Sequence, residues 1–224
     1  MVAAQGPLAV KRAARLGLGR TWPEGDGGDG GSVWIAAFAA LTWMNAGVWG
    51  DRGTLANVWL AENPRSLRAV QMVASYQNDQ DDYAGAMRTL DEGIRRVPAA
   101  EELVFQRKLL DCFHTGLGPE DWSALREAAR HASKPGVIPL VVGSLATEAR
   151  GDRCRGTLQR EDLDALVAEL MRNPAIANAS DAMGYMQYEL GKLAADDRDL
   201  NALMYHFDEA YRYRPSPMVP RQQA

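Results

Sequence analysis

The side chains most often used for catalysis or metal binding are few in this chain and stand apart from one another. Histidines occur at positions 114, 131 and 206, each without a second His or Cys three or four residues away. Cys112 and Cys154 are too far apart for a zinc or redox motif. We therefore expect surface or interface histidines, no metal site and no cofactor. A disulfide between the two cysteines is one alternative if this part of the chain lies outside the cytoplasm, and otherwise Cys112 is a core residue.

Carboxylates concentrate in two runs, Asp79–Asp82 and Asp196–Asp199, the second interrupted by Arg198. Each run lies in a predicted turn between two helices, where an aspartate can accept hydrogen bonds from the first amides of the next helix. The runs therefore predict helix caps rather than an acid/base pair.

Two patterns could still suggest an enzyme. Gly25, Gly27 and Gly30 fit a G-x-G-x-x-G motif, but the strand and helix that a dinucleotide site requires are not predicted beside it, so the motif is interpreted as a flexible linker. A site built around Asp111, His114 and Glu120 would require a deep polar pocket. We predict no catalytic residues.

The elements around these positions are helical, and the clearest unit runs from Asn63 to Pro98. An apolar stripe begins after Ser66, breaks at the Asp79–Asp82 run, and resumes from Tyr83 to Ile94. Ser66 and either Asp81 or Asp82 can cap the two helices. Neither helix can bury its stripe alone, so the unit requires stacked neighbours. Strand-forming segments are hard to find, and we predict an all-α fold.

The unit resembles a tetratricopeptide (TPR) repeat. Pro64 and Pro98 lie 34 residues apart, which is the TPR period. The TPR pattern has, in chain order, a small residue, an Ala, a bulky residue, a small residue and a Pro. In this unit these positions hold Ala74, Ala86, Leu90, Gly93 and Pro98. A second match near the C-terminus has Gly191, Phe207, Ala210 and Pro215, with Leu203 where the pattern has Ala. The resemblance implies a short α-solenoid of TPR-like helix pairs over residues 51–215.

Two further segments precede the repeats. Residues 1–31 combine a short basic patch with a Gly/Asp-rich run and are predicted to be disordered. Residues 32–50 carry no charge, are almost long enough to span a bilayer, and have Trp34 and Trp49 near their ends, where interfacial aromatics are enriched. They predict a membrane anchor; the alternative is a buried first helix. Residues 216–224 are predicted to be a flexible tail.

The junction between the apolar segment and the first repeat also resembles part of a known protein family. Residues 34–98 resemble the point at which the last membrane helix of bacterial glycosyltransferase-type membrane proteins enters an extracytoplasmic TPR tail. The catalytic loops of such proteins are missing from this chain, so the resemblance implies the tail rather than the enzyme. Basic residues before the apolar segment would leave residues 51–224 outside the cytoplasm.

If the TPR resemblance holds, the first helix of each pair lines a concave groove that binds a protein or peptide partner. By position, the implied groove residues are Arg68, Gln71, Ser75, Asn78, Tyr185, Tyr188 and Lys192. A net charge of −4 argues against nucleic acid as the partner. Two hypotheses remain open: a membrane-tethered, periplasmic interaction scaffold associated with envelope glycan or glycosylation machinery, and a soluble cytoplasmic adaptor in which residues 32–50 are buried.

Overall fold

The computed structural model describes residues 28–97, 99–151, 154 and 159–214. Pro98, Pro215, the tail 216–224 and most of the segment predicted to be disordered lie outside these residues. The chain divides after Val48 into two units, which are described separately.

The first described element is an apolar helix, α1 (Gly28–Gly50), which begins four residues before the predicted start. Large apolar side chains are exposed along it, including Trp34 (67%), Phe38 (64%) and Trp43 (81%). They do not form a single stripe, in contrast to the helices of a water-soluble domain. Gly31–Gly50 has a mean hydropathy of 1.3 over its most apolar window, so length and composition allow it to cross a membrane.

The second unit is entirely helical over its described residues. Its helices are α2 (Arg52–Glu62), α3 (Leu67–Asp79), α4 (Tyr83–Arg96), α5 (Glu101–His114), α6 (Pro119–His131), α7 (Ile138–Gly151), α8 (Arg160–Arg172), α9 (Pro174–Ala177), α10 (Ser180–Asp196) and α11 (Leu200–Tyr213). The prediction of an all-α fold is confirmed for the described part of the chain.

Two turns of this unit have the same backbone geometry. Asp81 and Arg198 both adopt left-handed conformations, with φ of 62° and 60°. The next residue caps the following helix in each case: Asp82 accepts a hydrogen bond from the Gly85 amide at 2.8 Å, and Asp199 accepts one from the Ala202 amide at 3.0 Å. One aspartate of each acidic run therefore caps the following helix, as predicted.

Small residues allow the paired helices to approach closely. Ala74 and Ala86 are fully buried between α3 and α4. A methyl group added at Gly93 would lie 2.6 Å from Val70 Cγ1 and 2.8 Å from Leu103 Cδ1. A methyl group at Gly191 in α10 would similarly lie 2.5 Å from the Phe207 ring of α11.

The helices pack in a regular order. The first members of four pairs, α3, α5, α7 and α10, are successive neighbours, and each packs against its own second member, α4, α6, α8 and α11 respectively. Helix α6 also packs against α8. One apolar core runs from α5 to α10, and a smaller one joins α3, α4 and α5. This order places one face of α3, α5 and α7 side by side.

A disulfide joins Cys112 of α5 to Cys154, which follows α7, with a Cα–Cα distance of 4.7 Å. Both residues are buried, at 0% and 1% exposure. The pairing that the sequence left open is thus present in the structure.

Candidate functional site

A cavity of about 390 Å³ lies on the face shared by α3, α5 and α7; we call it the groove. Its lining residues are Arg52, Arg68, Gln71, Met72, Ser75, Gln106, Leu109, Val137, Leu140, Val141 and Ser144. Helical periodicity explains this set, because residues three or four apart lie on the same face of a helix. The lining residues of α3 lie between Arg68 and Ser75, and each follows the previous one by three, one and three positions. The lining residues from Val137, just before α7, to Ser144 have the same spacing.

The charged side chains of the groove lining are both arginines. Arg52 pairs with Asp79 at 2.9 Å, whereas Arg68 is exposed and has no ion-pair partner among the described residues. Among the described residues, no carboxylate belongs to the lining. The α3 side of the groove is therefore suited to a negatively charged group of a ligand.

Two carboxamides in the groove wall have unsatisfied hydrogen-bonding atoms. Gln71 Nε2 of α3 and Gln106 Oε1 of α5 are buried and have no hydrogen-bond partner within the described part of the chain. Buried polar atoms of this kind are uncommon in folded proteins, because leaving one unpaired costs about 1–3 kcal/mol. The groove therefore offers one unused donor and one unused acceptor on neighbouring helices.

The remainder of the lining is aliphatic. Leu140 of α7 is 58% exposed, an unusual degree of exposure for a leucine beside a cavity. Met72, Leu109 and Val141 extend this surface across the three helices. An aliphatic surface with a few polar groups at its wall has the composition of a binding site.

The structure distributes the predicted groove residues over three places. Arg68, Gln71 and Ser75 line the groove. Asn78, in the last turn of α3, is half-buried and does not line it. The other predicted residues all belong to α10, away from the groove lining.

Each of the three α10 side chains has a contact within its own neighbourhood. The Tyr185 ring packs so closely against Gly143 of α7 that a methyl group added at Gly143 would lie 2.7 Å from it. Burial raises the pKa of Tyr185. Tyr188 stacks on Phe207 with ring centroids 5.7 Å apart. Lys192 pairs with Glu189 at 2.6 Å and lies 5.4 Å from the centre of the Tyr188 ring. That these residues bind a partner stays a prediction.

Sequence reasoning missed the contributions of α5 and α7. Gln106, Leu109, Leu140 and Ser144 lie outside both TPR-like matches, so no motif identified them. The spacing of Val137, Leu140, Val141 and Ser144 could have indicated a shared helical face, although it could not indicate what that face meets.

Two of the residues considered for catalysis, Asp111 and His114, both contact Tyr83. Asp111 is bonded by Arg107, Lys108 and the Tyr83 hydroxyl, the last at 3.1 Å. Burial, followed by the charge of Asp111, raises the pKa of Tyr83. The His114 ring stacks on Tyr83 with a centroid distance of 3.9 Å. Asp111 is therefore part of a network that joins α4 to α5.

Two of the other cavities in the described residues are larger than the groove. One of about 630 Å³ lies beside the α4–α5 turn and α6, where its Glu127 is paired with Arg130 and His131. Another of about 430 Å³ lies among α8, α10 and α11. There a His206 ring nitrogen lies 2.7 Å from Gln187 Oε1, and burial lowers the pKa of His206. Neither cavity combines unpaired polar atoms with an exposed apolar side chain as the groove does.

The described residues include no group of three or more His, Cys, Asp or Glu side chains that could hold a metal ion. Comparisons of the chain with protein families, curated proteins and solved structures found no match. The groove and α1 are therefore the features that suggest a function.

Proposed function

We propose that this chain is a membrane-tethered interaction scaffold whose TPR-like helix pairs bind a partner protein segment in the groove. The observation that carries the proposal is the grouping of Arg68, Gln71 and Ser75 in one cavity with side chains from α5 and α7. These three residues were selected from the TPR resemblance by position alone. Their shared location is what a concave groove built from successive first helices predicts.

The proposal of repeated helix pairs rests on recurring local geometry. The α3–α4 and α10–α11 turns have the same left-handed residue followed by a capping aspartate. Both pairs have buried small residues at the two small positions of the TPR pattern, Ala74 and Gly93 in one pair and Gly191 and Ala210 in the other. Successive packing of α3, α5, α7 and α10 is the neighbour pattern of a helical solenoid.

Two features support a tether and an extracytoplasmic location. The uncharged part of helix α1, residues 32–50, has the length and composition of a membrane span, with basic residues on its N-terminal side. The Cys112–Cys154 disulfide is typical of an oxidising compartment such as the periplasm. Association with envelope glycan or glycosylation machinery is supported by the resemblance of residues 34–98 to the membrane junction of glycosyltransferase-type proteins.

The tether is tested by an alkaline carbonate wash of membranes from cells that express the chain. Leu41 lies near the middle of the span, and an arginine there opposes insertion by about 2.5–3.5 kcal/mol. We expect the native chain to remain in the pellet and Leu41→Arg to be released. Leu200→Arg, on an exposed position of α11, is the matched control and should remain in the pellet. Release of the native chain would instead support the soluble adaptor.

The groove is tested by photo-crosslinking in cells. A photoreactive amino acid is placed at Arg68 or Leu140, both exposed groove positions, and at the exposed Ala84 of α4 and Ser123 of α6 as controls. We expect discrete protein adducts from the two groove positions only. Equal adducts from all four positions, or none from the groove, would contradict a partner site there.

A further inference from the structure

We propose that the groove recognises an extended peptide through its main chain, with the side-chain amides of Gln71 and Gln106 bonding one or two of its peptide groups. This inference rests on the proposed function and specifies the chemistry of the partner at the same site. It also places a ligand carboxylate beside Arg68.

The unpaired amide atoms provide the first argument. Gln71 Nε2 is a donor and Gln106 Oε1 is an acceptor, and both are buried without a hydrogen-bond partner among the described residues. A peptide group has one acceptor, its C=O, and one donor, its N–H. A main chain lying across α3 and α5 could therefore satisfy both side chains together.

The covered position of these atoms does not prevent contact. The last torsion of a glutamine side chain has broad preferences, so its amide can turn toward a ligand. Rotation by half a turn exchanges the nitrogen and the oxygen, and each side chain can therefore offer either a donor or an acceptor. Because the free protein leaves these atoms unpaired, a ligand that bonds them gives up no protein hydrogen bond in return.

The rest of the lining determines the kind of peptide. Arg68 is exposed and unpaired within the described residues, and the lining contains no carboxylate. An acidic side chain of the ligand can therefore pair with it. Leu140, at 58% exposure, offers an aliphatic contact on the opposite helix. The favoured occupant is an extended segment with an acidic residue near one end and an apolar residue near the other.

The test begins with a peptide selection. The full chain is placed in phospholipid nanodiscs and exposed to a phage-displayed library of random dodecapeptides, with the Leu140→Arg variant used for counter-selection. We expect enriched peptides that share an acidic and an apolar position. The best one is then synthesised as the probe, together with versions N-methylated at single residues.

The main-chain bonds are measured with variants of similar side-chain length. We expect Gln71→Met and Gln106→Met each to weaken binding of the probe about fivefold, the effect of one hydrogen bond between uncharged groups. Gln80→Met, at the exposed C-cap of α3, should leave affinity unchanged. We expect N-methylation at one residue of the probe to weaken its binding to the native chain. In one of the two glutamine variants, the same N-methylation should cause no further loss of affinity, because both changes remove the same hydrogen bond. Melting temperatures show that each variant is folded.

Two results would overturn the inference in different ways. If enriched peptides bind and discriminate against Leu140→Arg, but N-methylation and both glutamine variants leave affinity unchanged, the groove binds peptides without reading the main chain. The proposed function then stands and this inference fails. If no peptide is enriched over the Leu140→Arg variant, both are wrong.

Discussion

At the scale of single residues, Asn63 and Asn173 show how the same dipeptide has different roles. Both precede a proline and follow a helix. Asn173 is buried; its side chain donates to the carbonyls of Ala129 and Ala132, each at 2.8 Å, and accepts from the Ala175 amide at 2.9 Å. Asn63 is exposed, and its side chain donates to the Trp59 carbonyl at 3.4 Å. Asn173 thus satisfies the end of α6 and caps α9.

Replacing these two asparagines should therefore have unequal effects. We expect Asn173→Ala to lower the free energy of unfolding by about 2–3 kcal/mol, because buried carbonyls lose their donor and α9 loses its cap. Asn63→Ala should cost less than about 0.5 kcal/mol, as an exposed substitution. Urea unfolding followed by circular dichroism gives both values. Equal losses would contradict the role assigned to Asn173.

At the scale of helices, close packing of α4 depends on a glycine. Gly93 faces Val70 of α3 and Leu103 of α5 at distances that leave no room for a methyl group. Both neighbours are buried, Val70 at 2% and Leu103 at 0%, and Val70 is β-branched. They cannot turn aside without disturbing the smaller core.

We expect Gly93→Ala to lower the free energy of unfolding by about 1–3 kcal/mol, the usual cost of overpacking. Without the clash, the same change would stabilise the helix by up to about 1 kcal/mol. Ala84→Gly is the reverse substitution at an exposed position of the same helix, so it measures the effect of helix propensity without a clash. A stabilising Gly93→Ala would show that α3 and α5 do not approach α4 as closely as described.

At the scale of the folded chain, the disulfide closes a large loop. Cys112 and Cys154 are 42 positions apart in the sequence, and the segment between them includes α6 and α7. Such a crosslink acts mainly on the unfolded chain, whose conformational entropy it reduces. It therefore connects the stability of this part of the fold to the redox state of its compartment.

Reduction should destabilise the protein by up to about 4 kcal/mol, the value expected from loop-closure entropy for a loop of this length. Urea unfolding with and without reductant measures the loss, and the Cys112→Ala/Cys154→Ala variant should show no response to reductant. In cells, we expect the cysteines to react with maleimide only after reduction. Immediate labelling of denatured cell extracts would contradict an oxidising location.

Most of what could be predicted depends on short spans of sequence. The caps at Ser66 and Asp82 follow from residues within one turn of a helix start. The small residues Ala74, Ala86 and Gly93 follow from a motif within two helices. The apolar helix required only composition. Arg68, Gln71 and Ser75 were found because they belong to the same motif-bearing unit.

The groove itself required the tertiary structure. Gln106, Leu140 and Ser144 lie in helices without a TPR-like match, and their relation to α3 depends on how α5 and α7 pack beside it. Whether Cys112 and Cys154 pair, and the burial of Asn173, also depend on contacts between distant segments.

The sequence alone determined the helical class, several helix starts and the apolar segment, because hydrogen bonds within a helix and its caps connect residues at most a few positions apart. Only the tertiary structure decided which helix faces meet, which amides remain unpaired in the groove, and which asparagine is buried. The physical reason is that these properties come from packing between helices tens of residues apart. Many helix arrangements are compatible with the same local pattern, and the combined fit of the side chains selects one of them.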